Sequence, residues 1–305
     1  MFDENYEVIV ADTPAARRIH HQIRYQVYCV EHGYEDPGRH PDQEERDEWD
    51  AHAVHFLVRE RASGEWIGAM RLVKPVNGIL PIHRAAKLQP GSGPVEDGGK
   101  AWELSRTCIL RDYRRGCRLN DHVGQLQPFG NRSEASGDPW QPRSSVSKRI
   151  NWVAMAKLRA AHLATLAANG GVRRGMATGA PSGAGPSRHG SLRVNGYEIL
   201  AGMLRAAIEY TRDHDTYHLY FLINRALARM VRRMQLDIIE AGGPVEHRGV
   251  RHPYVANLNE LVFGAVRRSP EMAKLFLEGE DPYRHYSVIR SSLQRGPEPG
   301  DVAAA

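Results

Sequence analysis

The segment Trp102-Glu103-Leu104-Ser105-Arg106-Thr107-Cys108-Ile109-Leu110 carries two charges where an ordinary strand has none. Its members Trp102, Leu104, Cys108, Ile109 and Leu110 are strand-prone, and Gly98-Gly99 and Asp112 bound the run. A carboxylate and a guanidinium inside such a run cost free energy unless they are paired or used. Two accounts fit: a structural salt bridge at a sheet surface, or a site. Further charges stand in or beside comparable segments, at Arg24, Arg71 and Asp47-Glu48-Trp49-Asp50.

Outward from that run the elements alternate. Tyr6 to Val10 reads as a strand, and Asp12-Thr13-Pro14 supplies a cap and a first-turn proline for a helix through Ile19, Ile23, Val27 and Val30. Gly33 closes that helix. The stretch from Glu35 to Asp50 is acidic and reads as too charged for core. Ala53 to Arg59 and Trp66 to Val73 form a hairpin around Ala62-Ser63-Gly64, Pro81-Ile82-His83 opens a short helix, and Pro90 to Gly99 is a linker. In the carboxyl half, Leu219 to Ile223 reads as a strand and Asn224 to Met230 as a helix.

Arg24, Tyr28, Tyr34, Asp47, Asp50, Arg71, Glu103 and Arg106 together resemble the signature of the acyl-homoserine-lactone (autoinducer) synthases. The motifs Gly68-Ala69-Met70-Arg71-Leu72 and Glu103-Leu104-Ser105-Arg106 match directly, whereas Tyr28 and Tyr34 stand where phenylalanine and tryptophan are usual. The Ala-Arg-Met helix at 228–230, Gly243-Pro244-Val245-Glu246 and Gly249-Val250-Arg251-His252-Pro253-Tyr254 are similar to acyltransferases associated with PEP-CTERM/exosortase systems, relatives of the N-acyl amino acid synthases. The resemblance covers roughly 6–118 and 192–262 and implies a GNAT-like α/β fold, with a mixed sheet splayed where the pantetheine arm of an acyl donor inserts. The domain expectation is then 1–118 with 192–262 as the acyltransferase domain, 119–191 as a basic Gly/Ser/Pro-rich insertion with one helix, and 263–305 as a C-terminal helix and disordered tail.

Charge divides the chain in the same way. The net charge is +5, yet residues 111 to 193 hold 14 Lys and Arg against 4 Asp and Glu, leaving 27 against 32 elsewhere. A basic insertion of this kind is either a solvated loop or a dock for an acidic partner such as acyl carrier protein, since opposite charge steers encounter. No nucleic-acid recognition motif accompanies it. No apolar run reaches the length of a membrane span, and the amino terminus lacks a secretory pattern, so a cytoplasmic enzyme is expected. Cys29, Cys108 and Cys117 have no metal-like spacing.

After the Glu103 strand, Arg111 to Arg118 lies where GNAT enzymes place a pyrophosphate loop, a run of amides opening a helix. Only Arg114, Arg115 and Gly116 resemble the usual pattern, and Arg118 replaces its second glycine. That favours a carrier-protein donor, whose single phosphate Arg111, Arg114, Arg115 and Arg118 would hold, over coenzyme A.

The implied reaction is fatty acyl transfer from a thioester to the amine of an amino acid or similar acceptor, with no tightly bound cofactor. An amine is mostly protonated at neutral pH, so a base is needed; strand burial would raise the pKa of Glu103 into the working range. Glu103, Ser105 and Arg106 are the catalytic candidates. Arg24, Arg71 and Arg106 suit an acceptor carboxylate, and Asp47, Asp50, Tyr28 and Tyr34 would shape the acceptor pocket by resemblance. His20-His21, His52 with His55, and His83 show no ligand pattern and read as surface histidines, so no metal is expected. Two other classes stay open: an acetyl-CoA-dependent GNAT N-acetyltransferase, and a non-catalytic acyl-binding or regulatory module.

Overall fold

The computed structural model of the protein describes residues 2–92, 100–114 and 196–288. Their centre is a nine-stranded mixed sheet in the order β6-β8-β5-β4-β3-β2-β1-β9, with β7 alongside β8. The strands are β1 (Tyr6–Val10), β2 (Ala53–Glu60), β3 (Trp66–Val73), β4 (Ala101–Ile109), β5 (His218–Ile223), β6 (Ile239–Glu240), β7 (Val245–Glu246), β8 (Val250–Asn257) and β9 (Arg284–His285). β1 to β4 form an antiparallel meander, and β4 pairs with β5 in parallel. The sequence reading ended the sheet domain at residue 262. Arg284–His285 nevertheless returns to pair in parallel with Ile9 and Val10 on β1. The expected insertion at 119–191 and the tail beyond 288 lie outside the described residues.

The first long helix, α2 (Pro14–Tyr25), follows a four-residue α1 (Phe2–Asn5) and begins as its sequence dictates. The Thr13 hydroxyl accepts from Ala16 N–H at 3.2 Å, and Pro14 occupies the first turn, where no N–H is missed. Its last turn widens into a π-helical segment, Gln26–Glu31, and the chain leaves through Gly33 at φ 63°. A side chain is strained at that φ.

The strand registers sort one face of the sheet into three rows, because residues opposite each other in a ladder share a face. Leu57, Ala69 and Cys108 form an apolar row beneath Ala16, Ile23 and Val27. Next come His55, Arg71 and Ser105. Then Val73, Glu103 and Tyr220 align, packed with Trp49 and Ile82. A polar row thus lies between two apolar ones. The opposite face is covered by α5 (Gly196–Asp213), whose Tyr210 ring meets Phe56 edge-on at 5.3 Å.

Two irregularities disturb β4. Its register against β3 shifts between Ala69 and Arg71, and Arg106 takes φ 53°. A bulge with a non-glycine residue in the left-handed region costs about 1–3 kcal/mol, and such features recur beside functional sites. Gly68 allows the bulged strand close, since a Cβ there would lie 2.9 Å from the Cys108 carbonyl oxygen. The pairing of β4 with β5 also ends at Leu104 opposite Phe221, although both strands continue.

Candidate active site

Beyond the last β4–β5 pair a cavity of about 460 Å³ opens, in the size range of small-molecule sites. Glu103, Ser105, Arg106 and Thr107 of β4 line one side, and Phe221, Leu222 and Ile223 of β5 the other. Arg71 and Glu103 belong to the first face, Leu200 and Leu204 of α5 to the second, and all four line the cavity. The gap therefore runs through the sheet.

Glu103 is 3 % exposed. Its Oε2 accepts from the Ile82 N–H at 2.7 Å, an amide in the first turn of α3 (Pro81–Ala85). Burial pushes its pKa up to about 7, against the lowering pull of that hydrogen bond and of Arg71 and Arg106. The carboxyl thus exchanges a proton near neutrality, as a general base must.

Around it runs an ion-pair network. Arg71 donates to both Asp47 oxygens at 2.6 and 2.8 Å, to Asp50 at 2.7 Å and to the Ser105 hydroxyl at 3.1 Å. Arg106 donates to Asp47 at 2.8 Å and Glu45 at 3.2 Å, and its guanidinium lies 5.6 Å from the centre of the Tyr28 ring. Arg24 donates to Glu45 at 2.5 Å and Asp50 at 2.6 Å. Despite burial, which opposes ionisation, Arg71 and Arg106 hold the Asp47 carboxyl below the usual carboxylate range, and the His55 hydrogen bond together with Arg24 and Arg71 does the same for Asp50. Asp47 caps its own short 3-10 turn, accepting from Trp49 N–H at 2.9 Å, while Asp50 reaches back to Asp47 N–H at 2.8 Å.

Of the residues expected from sequence, Glu103, Ser105, Arg106, Arg71, Asp47 and Tyr28 line the cavity. Arg24 and Asp50 join the network but not the cavity wall, and Arg24 has no exposed surface. Tyr34 is 40 % exposed, stacked on His32, and is not among the lining residues. On α4 (Arg111–Arg114), Arg114 pairs with the Glu31 carboxylate, while Arg111 donates its backbone N–H to that carboxylate and its guanidinium to the Glu31 carbonyl; neither lines the cavity. Arg115, Gly116 and Arg118 lie outside the described residues.

Two expectations are corrected. The stretch from Glu35 to Asp50 is not wholly outside the core: its first part is mostly exposed, but Glu44, Glu45 and Trp49 are buried, and Glu45 is tolerated there because it pairs with Arg24 and Arg106 together. Glu45 was missed, although it stands two residues before Asp47 in the motif region. His20, His21 and His55 are buried rather than on the surface, between α2 and β2, whereas His52 is exposed. The wall residues Arg248 and Arg251 were also missed. Arg248 pairs with Glu35, whereas Arg251 donates only to the His247 and Arg248 carbonyls among the described residues.

Residues 23–120 match the acetyltransferase (GNAT) domain. The matched stretch contains the bulged strand, Glu103 and the network, so the fold is GNAT-like and the domain holding the cavity is an acyltransferase domain. No curated protein matches the chain. Among solved structures, TofI in a ternary complex with an inhibitor and MTA aligns over 87% of this chain and 99% of its own, at 18% identity and TM-score 0.42. BjaI, a CoA-dependent acyl-homoserine lactone synthase solved with MTA, aligns over 95% and 99%, at 13% identity and TM-score 0.48. FeeM, an N-acyl amino acid synthase from uncultured soil microbes, aligns over 85% and 93%, at 10% identity and TM-score 0.41. Likenesses this distant assign no residue and no substrate to this chain. Among the described residues no helix is long and apolar enough to cross a membrane.

Proposed function

We propose that the protein is an N-acyltransferase that moves a fatty acyl group from a carrier-protein thioester to the amine of an amino-acid-like acceptor, with Glu103 as the base. The observation that carries this reading is the buried Glu103, with its pKa near 7, on the wall of a cavity that passes between β4 and β5. The acceptor nitrogen attacks the thioester carbonyl carbon and gives up its proton to Glu103. The C–S bond then breaks, and the departing thiolate takes that proton back from Glu103, which restores the base. The backbone of the unpaired stretch of β4 meets the developing oxyanion, where preorganised donors cost little reorganisation.

The two ends of the cavity divide the substrates. Leu200, Leu204, Phe221, Leu227 and Val231 give an apolar wall suited to an acyl chain longer than acetyl. Arg24, Arg71 and Arg106 are each paired with two protein carboxylates, so they position the site instead of binding an anion from outside. Arg251 is the wall cation left for the acceptor carboxylate.

The test is a thiol-release assay with long-chain acyl carrier protein, long-chain acyl-CoA and acetyl-CoA, each against a panel of amino acids and related amines. Turnover with long-chain donors, and Arg251→Ala raising the acceptor KM about tenfold or more with little change in kcat, support the reading. Turnover with acetyl-CoA alone returns the acetyltransferase; release with none of them, alongside saturable acyl-donor binding, returns the binding module.

A further inference from the structure

We propose that His20, His21 and His55 form a buried binding site for a divalent transition metal of the zinc type. One ring nitrogen from each of the three lies within 4.8 Å of the others. The rings meet edge to face, with centroids 4.7 to 5.5 Å apart. His20 is fully buried and His21 is 8 % exposed, yet His20 Nδ1 and His21 Nε2 have no hydrogen-bond partner. An orphaned buried polar atom is costly, and two on rings packed against a third imidazole have a common remedy in one cation.

The outer nitrogens of His20 and His55 are already held as metal-bound imidazoles are held. His20 Nε2 lies 3.1 Å from the Met70 carbonyl oxygen, and His55 Nε2 lies 3.1 Å from Asp50 Oδ1. His21 Nδ1 faces Glu44 Oε2 at 3.9 Å. The first two contacts fix the ring orientation and leave the opposite nitrogen as a lone-pair donor. Burial and the neighbouring Arg24 keep all three rings neutral, the state in which imidazole binds metal. Arg24 opposes a dication here; Asp50 and Glu44, in contact with the imidazoles, and Glu45 on Arg24 offset it. Binding at about 2.0–2.1 Å would draw the nitrogens to about 3.4 Å apart, within reach of small side-chain rotations. Three nitrogen ligands without thiolate favour Zn²⁺, Ni²⁺ or Co²⁺ over Mg²⁺. The ion would clip α2 to β2, and through His55 and Asp50 it would stiffen the seat of Arg71.

The experiment loads chelator-treated full-length protein with Co²⁺ and then displaces it with Zn²⁺. Expected are a visible ligand-field band saturating near one equivalent, its loss on adding Zn²⁺, and a rise in melting temperature with Zn²⁺ but not Mg²⁺. His21→Gln, at the edge of the cluster, and His55→Gln should each weaken Co²⁺ binding about tenfold or more, with the exposed His52→Gln as a control that binds like the parent. Failure of the parent to bind either ion saturably, or equal binding by both cluster variants, reduces the trio to packed neutral imidazoles and overturns the proposal.

Discussion

In the proposed mechanism Glu103 is the residue at which stability and function conflict. Its pKa rises from 4.5 to about 7 because burial disfavours the anion more than the Ile82 amide and the arginines favour it. Between those values the unfolded chain has released a proton that the folded chain retains. Stability conferred by the protonated carboxyl is thus full below about pH 4.5 and is lost as pH rises toward 7, at about 1.4 kcal/mol per pH unit. Glu103→Gln should therefore gain stability relative to the parent on going from pH 5 to pH 8, by about 2–3 kcal/mol in urea unfolding. A constant difference between those pH values would show that Glu103 titrates normally. The same variant should lower kcat about a hundredfold while leaving donor binding nearly intact, and parent kcat/KM should climb with pH to a plateau above about 7. A flat profile, or an active Glu103→Gln, would remove the assigned base.

At the level of elements, the hairpin, the helix start at Thr13-Pro14 and the charged β4 strand were legible in sequence because each is a local pattern. The 44–50 segment was not, because its polarity is visible locally while its partners are not. Arg24 and Arg106 come from elements distant in sequence, and only their convergence makes a buried Glu45 tolerable. The histidines escaped for the same reason: His55 joins His20 and His21 only once α2 lies on β2. Likewise the bulge at Arg106 follows from strand pairing that no single strand announces. This difference in kind predicts a difference in energy. Glu45→Ala strips a carboxylate from two enclosed guanidinium groups and should destabilise the protein by about 3–5 kcal/mol. Glu48→Ala removes an exposed pair with Arg84 and should cost under about 1 kcal/mol. Equal melting temperatures for the two variants would mean that the network adds nothing to the fold.

Across the whole molecule the charges are arranged so that Arg24, Arg71 and Arg106 are paired with protein carboxylates while the excess of cations falls in sequence between 111 and 193. An internally paired network has little free charge for a distant partner, so under the proposed carrier-protein donor the steering comes from elsewhere in the chain. Arg111 and Arg114 mark the start of that basic stretch, where Glu31 engages both and fixes their position beside the end of the π-helical segment. Many exposed charges, each worth under about 1 kcal/mol, add up to a long-range field that salt screens. Replacing Arg114, Arg115 and Arg118 with alanine should therefore raise KM for acyl carrier protein about tenfold while kcat changes little, and added salt should produce the same change in the parent. With acyl-CoA, which lacks the large acidic surface, the variant and the parent should differ far less. Salt-independent kinetics with acyl carrier protein, or an equal KM rise for both donors, would show that the basic stretch does not choose the donor.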